Sequence, residues 1–467
     1  MQRQLLLRDG AEVDLSPRLV EILAFLVTHA GQTISKEQLL DQFWADVNVT
    51  ENTLTRAIAD IRKALDDDAG QPKFIQTVSR RGYRFVANAT TPDPFEEWAK
   101  GRLSLEALDA ARLSEATAAF ERAVEATPDY APAHAGIANA CFLKFEISRC
   151  ENKPDHAALQ RAVSHARRAT ELDPSLGEAW ATLGVTLAAT GDVEHSRAAA
   201  RRATVAEPTS WRHQFRLAMT SWGEERLTAV DRTLALLPDF APARFVASMV
   251  FIARQAFRAA EDVVAKGAIS QSRQAGTSAS LFPAFGMHWL SGLLQLRTRT
   301  IGGALVSFAK ELDEARETSV YFREFRVNAL IGAGYTHLAI NDAAGAVEAF
   351  RSALELLPTN GRALLGLEQA LSRTGFAPDA ALLLPRIAEA VEELTRGGRM
   401  TEAAFVTAAN LTAHGQHETA IQILEQLLDR APAGHTGWII PVDPSLAPLR
   451  EHAAFERVLA RLATRAS

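Results

Sequence analysis

Four cations and no acid lie between residues 69 and 89: Lys73, Arg80, Arg81 and Arg84. Arg80 and Arg81 are adjacent in "TVSRRGYRFVA", in a turn closed by Gly82 and flanked by two runs of alternating apolar and polar residues. Guanidinium groups on a tight turn suit phosphate oxygens, which take charge-assisted hydrogen bonds from them. A second set stands upstream in "VTENTLTRAIADIRKALDDDAG", where Leu54, Ala57, Ile58, Ile61 and Leu65 form one apolar stripe at helical spacing. The face opposite carries Asn52, Arg56, Ala59 and Lys63, with Thr53, Thr55 and Asp60 on its flanks. Asn and Arg can each make paired hydrogen bonds to base edges, and Lys suits a backbone phosphate. Arg56 and Asp60, at i,i+4, offer a blander alternative, a solvated ion pair worth ~0.3 kcal/mol. Asp60 can also orient Arg56, since an acid beside phosphates is otherwise unfavourable.

The elements that must hold these groups are three helices and a hairpin. In "LSPRLVEILAFLVTHAGQ", Ser16 suits the N-cap, Pro17 the first helical position and Gly31 a left-handed stop. "ISKEQLLDQFW" begins a second helix with Ser35 and Gln38 spaced as a capping box, and Thr50 is placed to cap the third. "FIQTV" and "YRFVA" then alternate as strands around "SRRG". This is the plan of a winged helix-turn-helix, in which the third helix enters the major groove and the hairpin reaches backbone or minor groove. Trp44 and Tyr83 are expected in its core.

"SKEQLLDQFW", "VTENTLTRAIADIRKAL" and "FIQTVSRRGYRFVA" resemble, in order and spacing, the OmpR-type winged-helix effector domain, above all its CadC-like branch, over about residues 5–88. The resemblance implies binding of promoter DNA and transcription regulation. Family domains open with a small antiparallel sheet, of which "RQLLLRDG" and "AEVDLS" remain, so either the sheet is incomplete or the true start lies further upstream. No receiver domain precedes residue 1, and control by phosphorelay is not expected.

Beyond the polar, Pro-containing "NATTPDP" the chain repeats. Trp180, Leu183, Gly184, Leu187, Ser196, Ala200, Ala203 and Pro208 match the tetratricopeptide pattern, a helical hairpin of about 34 residues. Leu330, Gly334, Ala346, Phe350, Ala353 and Pro358 repeat it, as do Leu411, Ala420, Leu424, Leu427 and Pro432; Phe120, Ala123 and Pro128 mark a first unit. Pro128 and Pro174 are 46 residues apart, so "KFEISRCENKPD" reads as an elongated turn or inserted loop. Between 210 and 325 the pattern degrades. Stacked hairpins should form a superhelix whose concave groove holds a peptide or partner helix. "VDPSLAPLREHAAFERVLARL" resembles the closing segment of regulators that join this winged helix to such repeats.

Other chemistry finds little support. The net charge is -6, with 11 basic and 12 acidic residues in 1–89, so contact with nucleic acid rests on a local patch. Cys141 and Cys150 read as buried, inert thiols rather than a redox pair. Gly332 and Gly334 in "LIGAGYTHL" lack a third motif glycine and read as close helix packing. His134, His288 and His337 read as packing or surface residues. Phe282, Phe285, Trp289 and Arg297 either line an effector pocket or fill a degenerate repeat core. Arg323 and Arg326 either meet an acidic partner or form a solvated face. No signal peptide is visible, and no apolar run reaches the ~20 residues of a membrane span.

The expected fold is mainly α: an N-terminal winged helix-turn-helix (α+β) at 1–89, a linker at 90–95, and an α-solenoid of tetratricopeptide repeats at 96–467. The expected function is one-component, sequence-specific transcription regulation in the cytoplasm, without cofactor, metal or catalysis. Asn52, Thr53, Thr55, Arg56, Lys63, Arg80 and Arg81 would contact double-stranded promoter DNA. The repeats would bind a protein or peptide partner or an effector, or bring two copies together. The alternative is a protein–protein scaffold whose winged helix binds no DNA; the near-neutral charge of 1–89 favours it, and the cations on one docking side oppose it.

Overall fold

A two-stranded ribbon, β1 (Leu7–Arg8) against β2 (Ala11–Glu12), precedes the first helix, α1 (Pro17–Thr28), in the computed structural model. The structure describes residues 7–8, 11–12, 15–44, 51–86, 93–106, 109–150, 153–275, 284–314 and 321–467. The chain divides into two units, Met1–Thr91 and Pro92–Ser467. In the first unit Ser16 occupies the N-cap of α1 in an extended conformation, but its hydroxyl makes no capping bond. The helix opens on a proline, a residue type whose fixed φ suits the first turn, without the expected serine cap bond. Gly31 adopts the left-handed region at φ +79°, as expected after the helix.

The chain then forms a strand that the periodicity did not announce, β3 (Thr33–Ser35), followed directly by α2 (Lys36–Trp44). The expected capping box closes this junction: the Ser35 N–H donates to Gln38 Oε1 at 2.9 Å, and the Gln38 N–H to Ser35 Oγ at 3.0 Å. Then come α3 (Glu51–Leu65), β4 (Ile75–Val78) and β5 (Gly82–Phe85). Thr50, read as the cap of α3, lies outside the described residues. The sheet order is β3-β5-β4, all antiparallel, with Ser35 and Val78 both opposite Gly82. Gly82 is required there: at φ +141° an added Cβ would lie 1.9 Å from the Ile34 carbonyl oxygen. Ile22, Leu26, Leu39, Leu54, Ile58, Ile61 and Ile75 are wholly buried. Tyr83 and Trp44 are buried with them, as expected, and the Arg18 guanidinium lies 5.4 Å from the Trp44 ring centre.

The second unit is a run of helical hairpins. Pro94–Glu106 packs on Leu113–Ala126, Ala131–Cys150 on His156–Leu172, and Gly177–Ala189 on Val193–Ala206. The pairing continues through the stretch where the sequence pattern degrades: Trp211–Thr220 with Gly223–Leu236, Ala241–Ala253 with Phe257–Ala275, and Met287–Arg297 with Ile301–Glu314. Phe322–Ala339 with Ala343–Leu356 and Met400–Ala413 with His417–Arg430 follow the same plan. The closing segment forms a 3₁₀ turn, Pro444–Glu451, and a last helix, Ala453–Arg465.

Aromatic wedges hold neighbouring hairpins at a fixed spacing. The Phe350 ring would meet a Cβ at Gly334 at 2.6 Å and one at Gly366 at 2.2 Å; Phe308 stands in the same relation to Gly292 and Gly332. A ring with glycines on both sides lets helices approach closely and buries it fully. Gly332 and Gly334 therefore serve packing, as read.

The reading of "KFEISRCENKPD" as a turn or loop is corrected. Its first seven residues, 144–150, continue the helix Ala131–Cys150, and Asp155 caps the next helix by accepting from the Ala158 N–H at 2.9 Å. Within the extension Arg149 bonds Glu146 one turn back at 3.0 Å, and a tertiary partner holds its end, the Cys150 thiol donating to Glu324 at 3.0 Å. Arg399 also donates to the Arg149 carbonyl at 2.9 Å, linking an early hairpin to a late one.

Candidate nucleic-acid interface

The helix α3 is amphipathic in the expected sense. Leu54, Ala57, Ile58 and Ile61 are buried, Leu65 is half-buried, and Asn52, Thr53, Thr55, Arg56, Ala59, Asp60 and Lys63 are exposed. The i,i+4 ion pair between Arg56 and Asp60 is not formed among the described residues, leaving the Arg56 fork available. Thr55 Oγ1 donates back to the Glu51 carbonyl at 2.9 Å, so its hydroxyl hydrogen is already committed. At the start of α3, Lys36 Nζ meets Glu51 Oε2 at 2.6 Å. That pair offsets the acid at the end of α3 that also carries Asn52 and Arg56, and Glu51 raises the Lys36 pKa.

The hairpin tip is a three-residue turn, 79–81, closed by the Arg81 N–H donating to the Val78 carbonyl at 2.9 Å. Arg80 adopts the left-handed region at φ +58°. Arg80 and Arg81 are exposed, and neither forms an ion pair among the described residues. Lys73 is exposed as well. Arg84 is half-buried and committed to the sheet, with Nε and Nη2 on Thr33 Oγ1 at 3.1 and 2.9 Å.

Two residues not singled out from the sequence lock the helix to the hairpin. Asp67, with its carboxylate fully shielded, accepts the Lys73, Phe74 and Ile75 N–H groups at 2.6, 3.1 and 2.8 Å. Arg62, on α3, donates from Nη2 to the Ile75 carbonyl at 2.7 Å and to Thr77 Oγ1 at 2.9 Å, with Nε 3.9 Å from Asp67. Helix and wing thus form one rigid piece, and a shift of one carries the other. The signal in the sequence was the acid run Asp66–Asp68 directly after an amphipathic helix, since a buried carboxylate needs several donors.

Residues 10–85 match the family described as transcriptional regulatory protein, C terminal. The chain is 38% identical over 80 residues to the transcriptional activator CadC of Escherichia coli K12, covering 17% of this chain and 16% of CadC. It is 37% identical over 94 residues to the transcriptional regulator HilA of Salmonella typhimurium, covering 19% of this chain and 17% of HilA. The chain therefore spans about a sixth of the length of these curated relatives. Among solved structures, the DNA-binding domain of E. coli CadC matches at 35% identity over 18% of this chain and 80% of that one, with a TM-score of 0.17. A tetratricopeptide repeat protein from Parabacteroides merdae matches at 13% identity over 59% of this chain and 99% of that one, with a TM-score of 0.39. The N-terminal unit carries an OmpR-type winged helix, homologous to the corresponding segment of transcription regulators. Among the described residues no helix is long and apolar enough to cross a membrane, and no cluster of metal-ligating side chains occurs.

Proposed function

We propose that the chain is a one-component, sequence-specific DNA-binding transcription regulator of the cytoplasm, whose helical repeats receive a partner or an effector. The observation that carries this reading is the exposed face of α3, with Asn52, Thr53 and Arg56, fixed by Arg62 and Asp67 to a wing bearing exposed Arg80 and Arg81. In this reading Asn52 and Arg56 meet base edges in the major groove, with Thr53 and Thr55 beside them. Lys63, Arg80 and Arg81 meet phosphates, which set register and general affinity rather than sequence.

One winged helix buries on the order of 600–1,000 Å², and tight specific binding usually needs two. Self-association or a partner acting through the repeats supplies the second copy, and an effector acts by shifting that balance. Genome-wide mapping of bound sites tests the reading. Discrete sites upstream of genes, sharing one motif, are expected; absence of any enrichment over input refutes it.

A further inference from the structure

Within the repeat unit the helices line a half-open cavity of about 470 Å³, inside the roughly 300–1,000 Å³ range of small-molecule sites. Its walls come from distant parts of the sequence. The helices Ala131–Cys150, Trp211–Thr220, Ala241–Ala253, Met287–Arg297 and Phe322–Ala339 all contribute, as does Trp438 beyond the last full hairpin. Phe285 and Trp289, the aromatic pair noted in the sequence, line it. Arg297 instead stacks on the Phe257 ring at 3.4 Å, and Phe282 lies outside the described residues.

One wall is a ring cluster held in place. Phe245, Trp289, Phe325 and Trp438 meet with centroids 5.7 to 6.4 Å apart. Glu311, 1% exposed, fixes the entry to the helix of Trp289, accepting the Gly286 and Trp289 N–H groups at 2.8 and 3.1 Å. A second part of the wall is cationic. Arg102, Arg212 and Arg216 stand there with one lining carboxylate, Glu178, which already pairs with Arg102 at 3.1 Å. Glu207, on the far side of that wall, bonds His213 at 3.1 Å. Elsewhere in the lining, Arg149 is matched by Glu146, and Glu324 accepts the Cys150 thiol.

Arg216 is the group that points to a ligand. Its Nη1 and Nη2 donate to Thr182 Oγ1 at 2.7 Å and Asn139 Oδ1 at 2.5 Å, both neutral acceptors, and it enters no ion pair among the described residues. It is accessible only in part, and burial pulls its pKa down to about 10. Glu178 acts on this guanidinium through space but pairs with Arg102, so the direct partners of Arg216 are neutral, and a part-buried guanidinium in that state is costly unless an anion completes its shell. Ring walls at these spacings favour a flat aromatic body over a polar one.

We infer that this cavity binds a small aromatic organic anion, its rings against Phe245, Trp289 and Phe325 and its acid group on Arg216. This names the effector that the regulator reading leaves open, and rests on that reading only for what the ligand controls. Because the site joins first, middle and late repeats, a bound ligand ties them together and raises the melting temperature of the unit.

The test uses the full chain and two probes of similar shape, 1-anilinonaphthalene-8-sulfonate and its neutral counterpart N-phenyl-1-naphthylamine, followed by fluorescence. The sulfonate should bind saturably at one site per chain, at least tenfold tighter than the neutral amine. Arg216→Gln should remove that preference, and Val246→Trp, which fills the cavity from another wall, should abolish binding of both with helical circular dichroism unchanged. Equal affinity of the two probes for the wild-type chain, sulfonate binding that survives Val246→Trp, or no saturable binding would overturn the proposal. Should Arg216→Gln fail to fold, the wild-type comparison of the probes decides alone. DNA binding measured on the same preparation separates the two claims: sulfonate binding without DNA binding upholds the cavity and removes the regulator, and DNA binding without sulfonate binding does the reverse.

Discussion

Replacing Arg80 and Arg81 together by alanine should change the salt dependence of DNA binding more than the fold. Both side chains are exposed at the tip of a turn whose closing bond, from the Arg81 N–H to Val78, is made by backbone. Loss of the side chains therefore costs the domain within about 0.5 kcal/mol, as for other surface changes. If each arginine neutralises one phosphate, each contributes ~0.9 to the slope of log affinity against log salt, ~1.8 for the pair. Between 50 and 200 mM salt the wild-type affinity should then fall about 12-fold more than that of the double variant. Fluorescence anisotropy with a labelled duplex at several salt concentrations gives both slopes. The loss should be similar for specific and random DNA, because phosphate contacts carry no sequence information. Parallel slopes for the two proteins would show that the wing tip does not reach phosphate.

Three further outcomes follow from packing and protonation. Asp67→Ala strands three backbone N–H groups and should destabilise the N-terminal unit by about 3 kcal/mol, read as a lower denaturation midpoint with loss of DNA affinity. Gly366→Ala puts a methyl group 2.2 Å from the Phe350 ring and should cost the repeat unit about 1–3 kcal/mol by overpacking, measured by thermal unfolding. Acid should also destabilise the repeats: burial, with His134 beside it, holds His165 down to about 4. An unfolded histidine titrates near 6.5, so between about pH 6.5 and 4 the unfolded chain binds more protons and stability falls as pH falls. A melting temperature unchanged between pH 7 and 5 would contradict the burial of the His165 ring.

The periodic parts of the structure were the legible ones. The stripe from Leu54 to Leu65 gave α3 its orientation because one face had to meet the core, and the arginines around Gly82 marked the wing because that position demands glycine. The strand β3 was not legible: three residues acquire strand geometry only because β5, about 50 residues later, supplies the partner. Likewise 144–150 reads as loop until Glu324 and Arg399 arrive from later repeats to hold it helical. Arg62 and Asp67 are illegible in the sequence for the same reason, since their partners lie on β4 and in the turn before it. In the cavity, Phe285 and Trp289 stood out as a local aromatic cluster, whereas Phe245, Trp438 and Arg216 join them only once the hairpins stack. Local pattern shows which residues lie inward; tertiary closure decides what they enclose.

The central claim is that α3 reads DNA sequence. Selection from a random duplex library with the full chain and with Arg56→Ala measures this directly. The account predicts an enriched motif for the wild-type chain and, for Arg56→Ala, the same motif with about 1–3 kcal/mol less discrimination at one base pair. Recovery of an identical motif by both proteins, or of no motif by either, would contradict it.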